Sequence, residues 1–146
     1  MRQPQPHLRQ KGVLLIELAL TLPIILLLIF AIVQYAVVLG AMIVMNNTVS
    51  EAARQATVYR SGASVADYEQ VARDALSTLL PTYIGSFKTI VQADVQPTAC
   101  GDSTCLKLTL SYPDYSGNPL LGNAMFLPLP TSLSAQATTR VEPDGS

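Results

Sequence analysis

Hydrophobic positions are distributed very unevenly along this chain. Almost all of the strongly apolar sequence lies in residues 13–45, and residues 18–45 contain no charged side chain. As a helix that uncharged run would reach about 42 Å, at ~1.5 Å per residue, more than the ~30 Å hydrocarbon core of a bilayer requires. A buried core helix is the alternative, but the remaining chain is too small to cover such a segment on every face. From Asn46 onward the pattern is that of a globular domain. Val49, Ala52, Ala53 and Ala56 recur at helical spacing and extend the first helix to about Tyr59, where Ser61-Gly62 ends it. One helix over residues 13–59 would be a rod of roughly 70 Å; an anchor followed by a separate amphipathic helix is the other possibility.

A second helix starts at Ser64, a side chain suited to N-capping, with Asp67 in the first turn. Its apolar face is Tyr68, Val71, Ala72, Ala75, Leu76 and Leu79, and Pro81 closes it. The period then changes to two. Val91, Ala93 and Val95 alternate with Gln92 and Asp94, and Leu106, Leu108, Leu110 and Tyr112 alternate with Lys107, Thr109 and Ser111. Leu133, Ala135, Ala137, Thr139 and Val141 alternate with Ser134, Gln136, Thr138 and Arg140. Residues 97–105 read as the loop of a hairpin. The proline-rich connection 113–130 carries Leu120, Leu121, Met125, Phe126 and Leu127, expected to close an edge of the sheet or else to face a partner. The expected fold class is α+β: a long N-terminal transmembrane helix, a second amphipathic helix and a small three-stranded antiparallel sheet that this helix covers.

Charge gives the membrane segment a direction. Arg2, Arg9 and Lys11 precede it with no acid among them, whereas Glu51 and Arg54 roughly cancel after it. The positive-inside rule places the N-terminus in the cytoplasm and the C-terminal domain outside. A cleaved secretory signal would have a shorter apolar run ending at a small-x-small site, and Val44, Met45, Asn46 and Asn47 offer none. Setting the three leader charges aside leaves six basic against ten acidic residues, about −4, which argues against a nucleic-acid partner. The two cysteines, Cys100 and Cys105, lie close together beyond the membrane segment. In an oxidising compartment they would form a small-loop disulfide; in a reducing one they would stay thiols.

Three residues interrupt the apolar segment. Pro23 removes a backbone donor and is expected to kink the helix or leave a short unwound stretch, and Gln34 offers a bond to a neighbouring helix. Glu17 matters most. A carboxylate deep in a bilayer costs ~2.5–3.5 kcal/mol, less near the interface, and usually has a partner. Cleavage after Gly12 would supply one: Val13 would become an N-terminus with a free amine, one helical turn from Glu17. A neighbouring subunit's amine could then neutralise the carboxylate and set the register of helix packing. The simpler alternative is a Glu17 that snorkels to the cytoplasmic headgroups.

The stretch Lys11-Gly12-Val13-Leu14-Leu15-Ile16-Glu17-Leu18-Ala19-Leu20-Thr21-Leu22-Pro23 resembles the N-terminal signature of TadE-like pseudopilins of the tight adherence (Flp-type) pilus system. Asn46, Asn47 and Ser50-Glu51-Ala52-Ala53-Arg54 are similar to the segment that follows the anchor in that family, and Ala135, Ala137, Arg140 and Glu142 to its final strand. Leu18 departs from the pattern, in which Tyr or Phe is common. The resemblance implies a pilin-like build and processing by a prepilin peptidase at the Gly12–Val13 bond, with Glu17 as the assembly-critical acid. It also implies other pilin or pseudopilin subunits and the pilus machinery as partners. The organisation expected is a cytoplasmic leader (1–12), a transmembrane helix (13–45), a helix extension (46–60) and an exported domain (61–146) on a bacterial inner-membrane anchor.

Nothing in the sequence reads as an active site. The single histidine, His7, lies in the leader, so the exported part has no histidine-based triad, general base or zinc site. No Gly-rich phosphate loop or spaced carboxylate cluster is present. The expectation is a non-enzymatic assembly protein without metal or cofactor; the alternative is an unprocessed, signal-anchored binding domain at the periplasmic or cell surface.

Overall fold

The structure, a computed structural model, describes residues 7–58, 62–81, 87–122 and 128–142, with side chains from Gly12 onward. Three helices, α1 (His7–Ala56), α2 (Val65–Leu79) and α3 (Phe87–Ile90), precede three strands, β1 (Gln92–Cys100), β2 (Ser103–Tyr112) and β3 (Leu133–Val141). The chain divides into two compact units, Met1–Ala36 and Val37–Ser146, with the boundary inside α1.

The first unit is helix alone where it is described. Every side chain of residues 13–30 is exposed, and nearly all of them are apolar. A helix that is apolar all round and covered by nothing suits a lipid environment, and α1 is long and apolar enough to cross a membrane. α1 runs through Pro23 without a short unwound stretch, one of the two outcomes expected there. The ring's fixed φ near −65° is itself helical, so the chain can stay helical although the amide donor is missing there. Gln34 is buried.

In the second unit the rest of α1 acquires an inner face. Val38, Ala41, Met45, Val49, Ala52, Ala53 and Ala56 are buried at spacings of three and four, while Leu39 and Ile43 stay exposed. The helix ends at Ala56, sooner than the expected Tyr59, which lies outside the described residues. The Thr57 hydroxyl donates to the Arg54 carbonyl at 2.6 Å, taking over an acceptor that the next turn would have used.

α2 forms as its sequence demands. The Asp67 amide donates to Ser64 Oγ at 3.4 Å and the Ser64 amide to Asp67 Oδ2 at 2.7 Å, a reciprocal capping box. Tyr68, Ala72, Ala75 and Leu76 are buried; Val71 and Leu79 lie half-buried beside them. Leu80 leaves the helix with ψ 126°, the extended conformation that Pro81 imposes on its predecessor. The short α3 has no counterpart in the sequence pattern. It seats the buried Phe87 ring 6.0 Å from Tyr112.

The sheet is antiparallel, in the order β1-β2-β3. Its hairpin is tighter than expected. The ladder continues through Pro97 to the Cys100↔Ser103 pair, so Gly101-Asp102 alone turns the chain. Gly101 supplies the positive φ (64°) of such a two-residue turn. Pro97 is tolerated because β1 is an edge strand.

Leu106, Leu108, Leu110 and Tyr112 are buried on the inner face, with Val95, Leu133, Ala135 and Val141 from the flanking strands. Ala93, expected on that face, is exposed: β1 lies at the edge, and α2 bonds to it further along, where Arg73 donates to the Val95 carbonyl at 2.8 Å. The connection 113–130 is held to the core mainly through Tyr115. That ring is buried, meets Tyr112 edge-on at 5.3 Å, and its amide donates to the Thr131 carbonyl at 2.9 Å. Leu120 and Leu129 pack against the core and Leu121 is exposed, whereas Met125, Phe126 and Leu127 lie outside the described residues.

Candidate processing and assembly segment

Gly12 and Val13 share one turn of α1 and Glu17 lies in the next. Nothing about the helix requires glycine at position 12. Its backbone φ is not left-handed, and a Cβ built there would meet no atom within 4 Å. Glycine in a helix interior costs ~1 kcal/mol relative to alanine, so its presence here has no packing explanation. Val13 is 65% exposed. Glu17 lies four residues on, on the same helix face, and is exposed too. Among the described residues Glu17 forms no ion pair. Its backbone carbonyl accepts the Thr21 hydroxyl at 3.0 Å. An acid thus sits one turn beyond Val13 on an otherwise apolar surface.

The helix is continuous from His7 across the Gly12–Val13 peptide bond. That bond lies near the helix start, where orphaned amide groups weaken the ladder. A protease needing extended substrate would have to unwind only the first turns. Pro23 lies further along the same helix.

At the start of the second unit's charged sequence, Arg54 donates to Glu51 through Nε (2.9 Å) and Nη2 (2.8 Å), and Gln55 donates to the same carboxylate at 3.1 Å. The Arg54 bonds, with help from Gln55, hold the Glu51 carboxyl well below its usual range, at about 2. This pair follows the long uncharged run and is the first of the chain's described ion pairs.

Cys100 and Cys105 form a disulfide, with Cα atoms 5.8 Å apart. Cys100 pairs with Ser103 and Cys105 with Thr98, so the bridge runs diagonally across the last rungs of the hairpin, on the sheet's outer face. The structure therefore brings the two cysteines together, and Gly12, Val13 and Glu17 onto one short helical stretch. No group of three His, Cys, Asp or Glu side chains that could hold a metal occurs among the described residues. The aromatic cluster of Phe87, Tyr112 and Tyr115 was not legible as a unit, because its members come from three elements without a shared period.

No curated protein and no solved structure matches the chain. A family model, TadE-like protein, matches residues 12–54, from Gly12 through Glu17 to Arg54. That likeness covers less than half of the chain and is stated for residues 12–54 alone.

Proposed function

We infer that this chain is a minor pseudopilin: an N-in/C-out subunit that a prepilin peptidase cuts between Gly12 and Val13, and that takes part in assembling a tight adherence pilus or a related secretion filament. The observation that carries this reading is Glu17, an exposed acid without an ion-pair partner among the described residues, one helical turn from the residue that cleavage would make N-terminal. Isolated in lipid, such a carboxylate is unfavourable by a few kcal/mol at most depths. The α-amine of a neighbouring processed subunit removes that cost and matches the two helices in register. Lateral packing of the exposed apolar anchors then adds van der Waals contact, which is what drives association between helices in lipid.

The flanking charges support the orientation. Cationic residues precede the apolar run, and the cysteine pair follows it, as suits a domain folding in an oxidising compartment. On this reading the exported domain contributes binding specificity, and no catalytic role is assigned to it. The competing reading is an anchor that keeps its leader and presents a binding domain; the unbroken helix across residues 12 and 13 is compatible with it.

Replacing Glu17 by Ala separates the two. The processed-subunit reading expects normal insertion and a normal steady-state level, with piliation reduced at least tenfold. Wild-type piliation in that variant would falsify the pairing of Glu17 with a neighbour's amine.

A further inference from the structure

The Cys100–Cys105 bridge is asymmetric, and register shows why. Cys100 is the last residue of β1, an edge strand, and is exposed; Cys105 lies in the central strand β2 and is 5% exposed. Cys100 stands opposite Ser103 at the turn, whereas Cys105 is flanked by Thr98 of β1 and Arg140 of β3. The bridge therefore runs from the middle of the outer face to the corner where β1 ends. A thiolate attacks one sulfur of a disulfide, in line with the bond that breaks. Extended beyond Cys100, that line leaves the sheet past the last rung of its edge strand. Extended beyond Cys105, it runs over β3, where Thr138 and Arg140 stand on the same face. A thiolate released on Cys105 also lies nearer to positive charge. Lys107 is two residues along the same face and Arg140 directly across, although Arg140 is 3.6 Å from Glu142. Nearby cations lower a thiol's pKa, and a sulfur of lower pKa leaves faster. The hairpin itself need not open. Its register is held by the ladder and by the Gly101-Asp102 turn, and a bridge that closes so short a loop restricts the unfolded chain only modestly.

We propose that Cys100 Sγ is a thiol-exchange site of the folded domain, with Cys105 as the leaving and resolving sulfur. The ligand class is a thiol, attacking as its thiolate. The new bond joins its sulfur to Cys100 Sγ while the Cys100–Cys105 bond breaks. The electron pair leaves on Cys105, which takes up a proton from solvent. The product is a mixed disulfide on an intact hairpin, with no net change in oxidation state. Because β2 holds Cys105 in place, its thiolate then attacks Cys100 Sγ, expels the thiol and restores the bridge. A second thiolate attacking the sulfur of the first instead completes a two-electron reduction, giving two cysteine thiols and the disulfide of the ligand. Exposed disulfides are the labile ones. The site is independent of leader cleavage and of Glu17.

The test uses the full chain extracted from host membranes in detergent. Cys105→Ser and Cys100→Ser each leave one thiol; both are reduced, freed of reductant and mixed with oxidised glutathione as the probe. Cys105→Ser should gain one glutathione, read as intact mass, at least about tenfold faster than Cys100→Ser. Its rate should stay flat in urea below the unfolding transition, whereas the Cys100→Ser rate should rise as the domain opens. Equal rates in the two variants, or a Cys105→Ser rate that climbs with urea in step with unfolding, overturns the proposal. The wild-type chain provides a readout free of substitutions. Dithiothreitol should open its bridge while the amides of β1 and β2 keep their hydrogen-exchange protection. Loss of that protection as the bridge opens, or a bridge reduced only after unfolding, also overturns it.

Discussion

Among the described residues the buried Tyr115 hydroxyl makes no well-formed hydrogen bond, the Leu120 amide being only weakly directed at it, and burial pushes its phenol above the ordinary range. An unsatisfied buried polar group costs ~1–3 kcal/mol. Tyr115→Phe should therefore be neutral or stabilising by about 1 kcal/mol in thermal unfolding of the full chain in detergent; a loss of stability would reveal a partner for the hydroxyl. Its neighbour Tyr112 differs, since its hydroxyl donates to the Asn118 carbonyl at 2.7 Å. At Glu51 the prediction concerns pH. Its folded pKa lies below the ordinary 4.5, at about 2, so the Arg54 and Gln55 contacts contribute fully above pH 4.5 and are lost as pH falls through about 2. Arg54→Ala should return the Glu51 midpoint toward 4.5 in a carboxyl NMR titration. An unchanged midpoint near 2 would remove Arg54 as the cause.

Among the elements, those with an uninterrupted period were legible in the sequence. Strands β2 and β3 alternate cleanly because one face lies on the core and the other on solvent, and α2 announces itself by Ser64, Asp67 and its apolar stripe. β1 extends past its alternating residues 91–95 to Cys100, because Pro97 argues against a strand unless the strand is an edge, and edge position is a property of topology. α3 is a single turn, too short to show a period. The cysteine pairing was legible from spacing, but its diagonal placement across a two-residue turn was not. By loop entropy that bridge should contribute ~2 kcal/mol. The double substitution Cys100→Ser, Cys105→Ser should lower stability by about that amount while β1 and β2 keep their register, since the Gly101 turn also fixes it. Hydrogen exchange along β1 would check this; loss of protection throughout the strand would show that the bridge alone holds it.

For the whole molecule, the division of labour follows from where apolar side chains are covered. Up to Ala36 α1 carries an apolar surface left almost wholly exposed, and from Val37 the same helix contributes a buried stripe to a small α+β unit. Composition alone revealed the first part, because so long an uncharged apolar run has few other uses. At residues 12–17 the sequence shows a misplaced acid five positions after a glycine, within a stretch that resembles the TadE-like signature, and the family match to residues 12–54 agrees with that resemblance. That β3 is an edge strand was invisible beforehand, because it depends on which strand ends up outermost. The central claim is that proteolysis creates the counter-charge for Glu17, and the intact mass of the full-length chain extracted from host membranes tests it most directly. The account predicts loss of the first twelve residues from the 15.7 kDa chain, with Val13 as the N-terminus. A functional form that retains Met1 would contradict it.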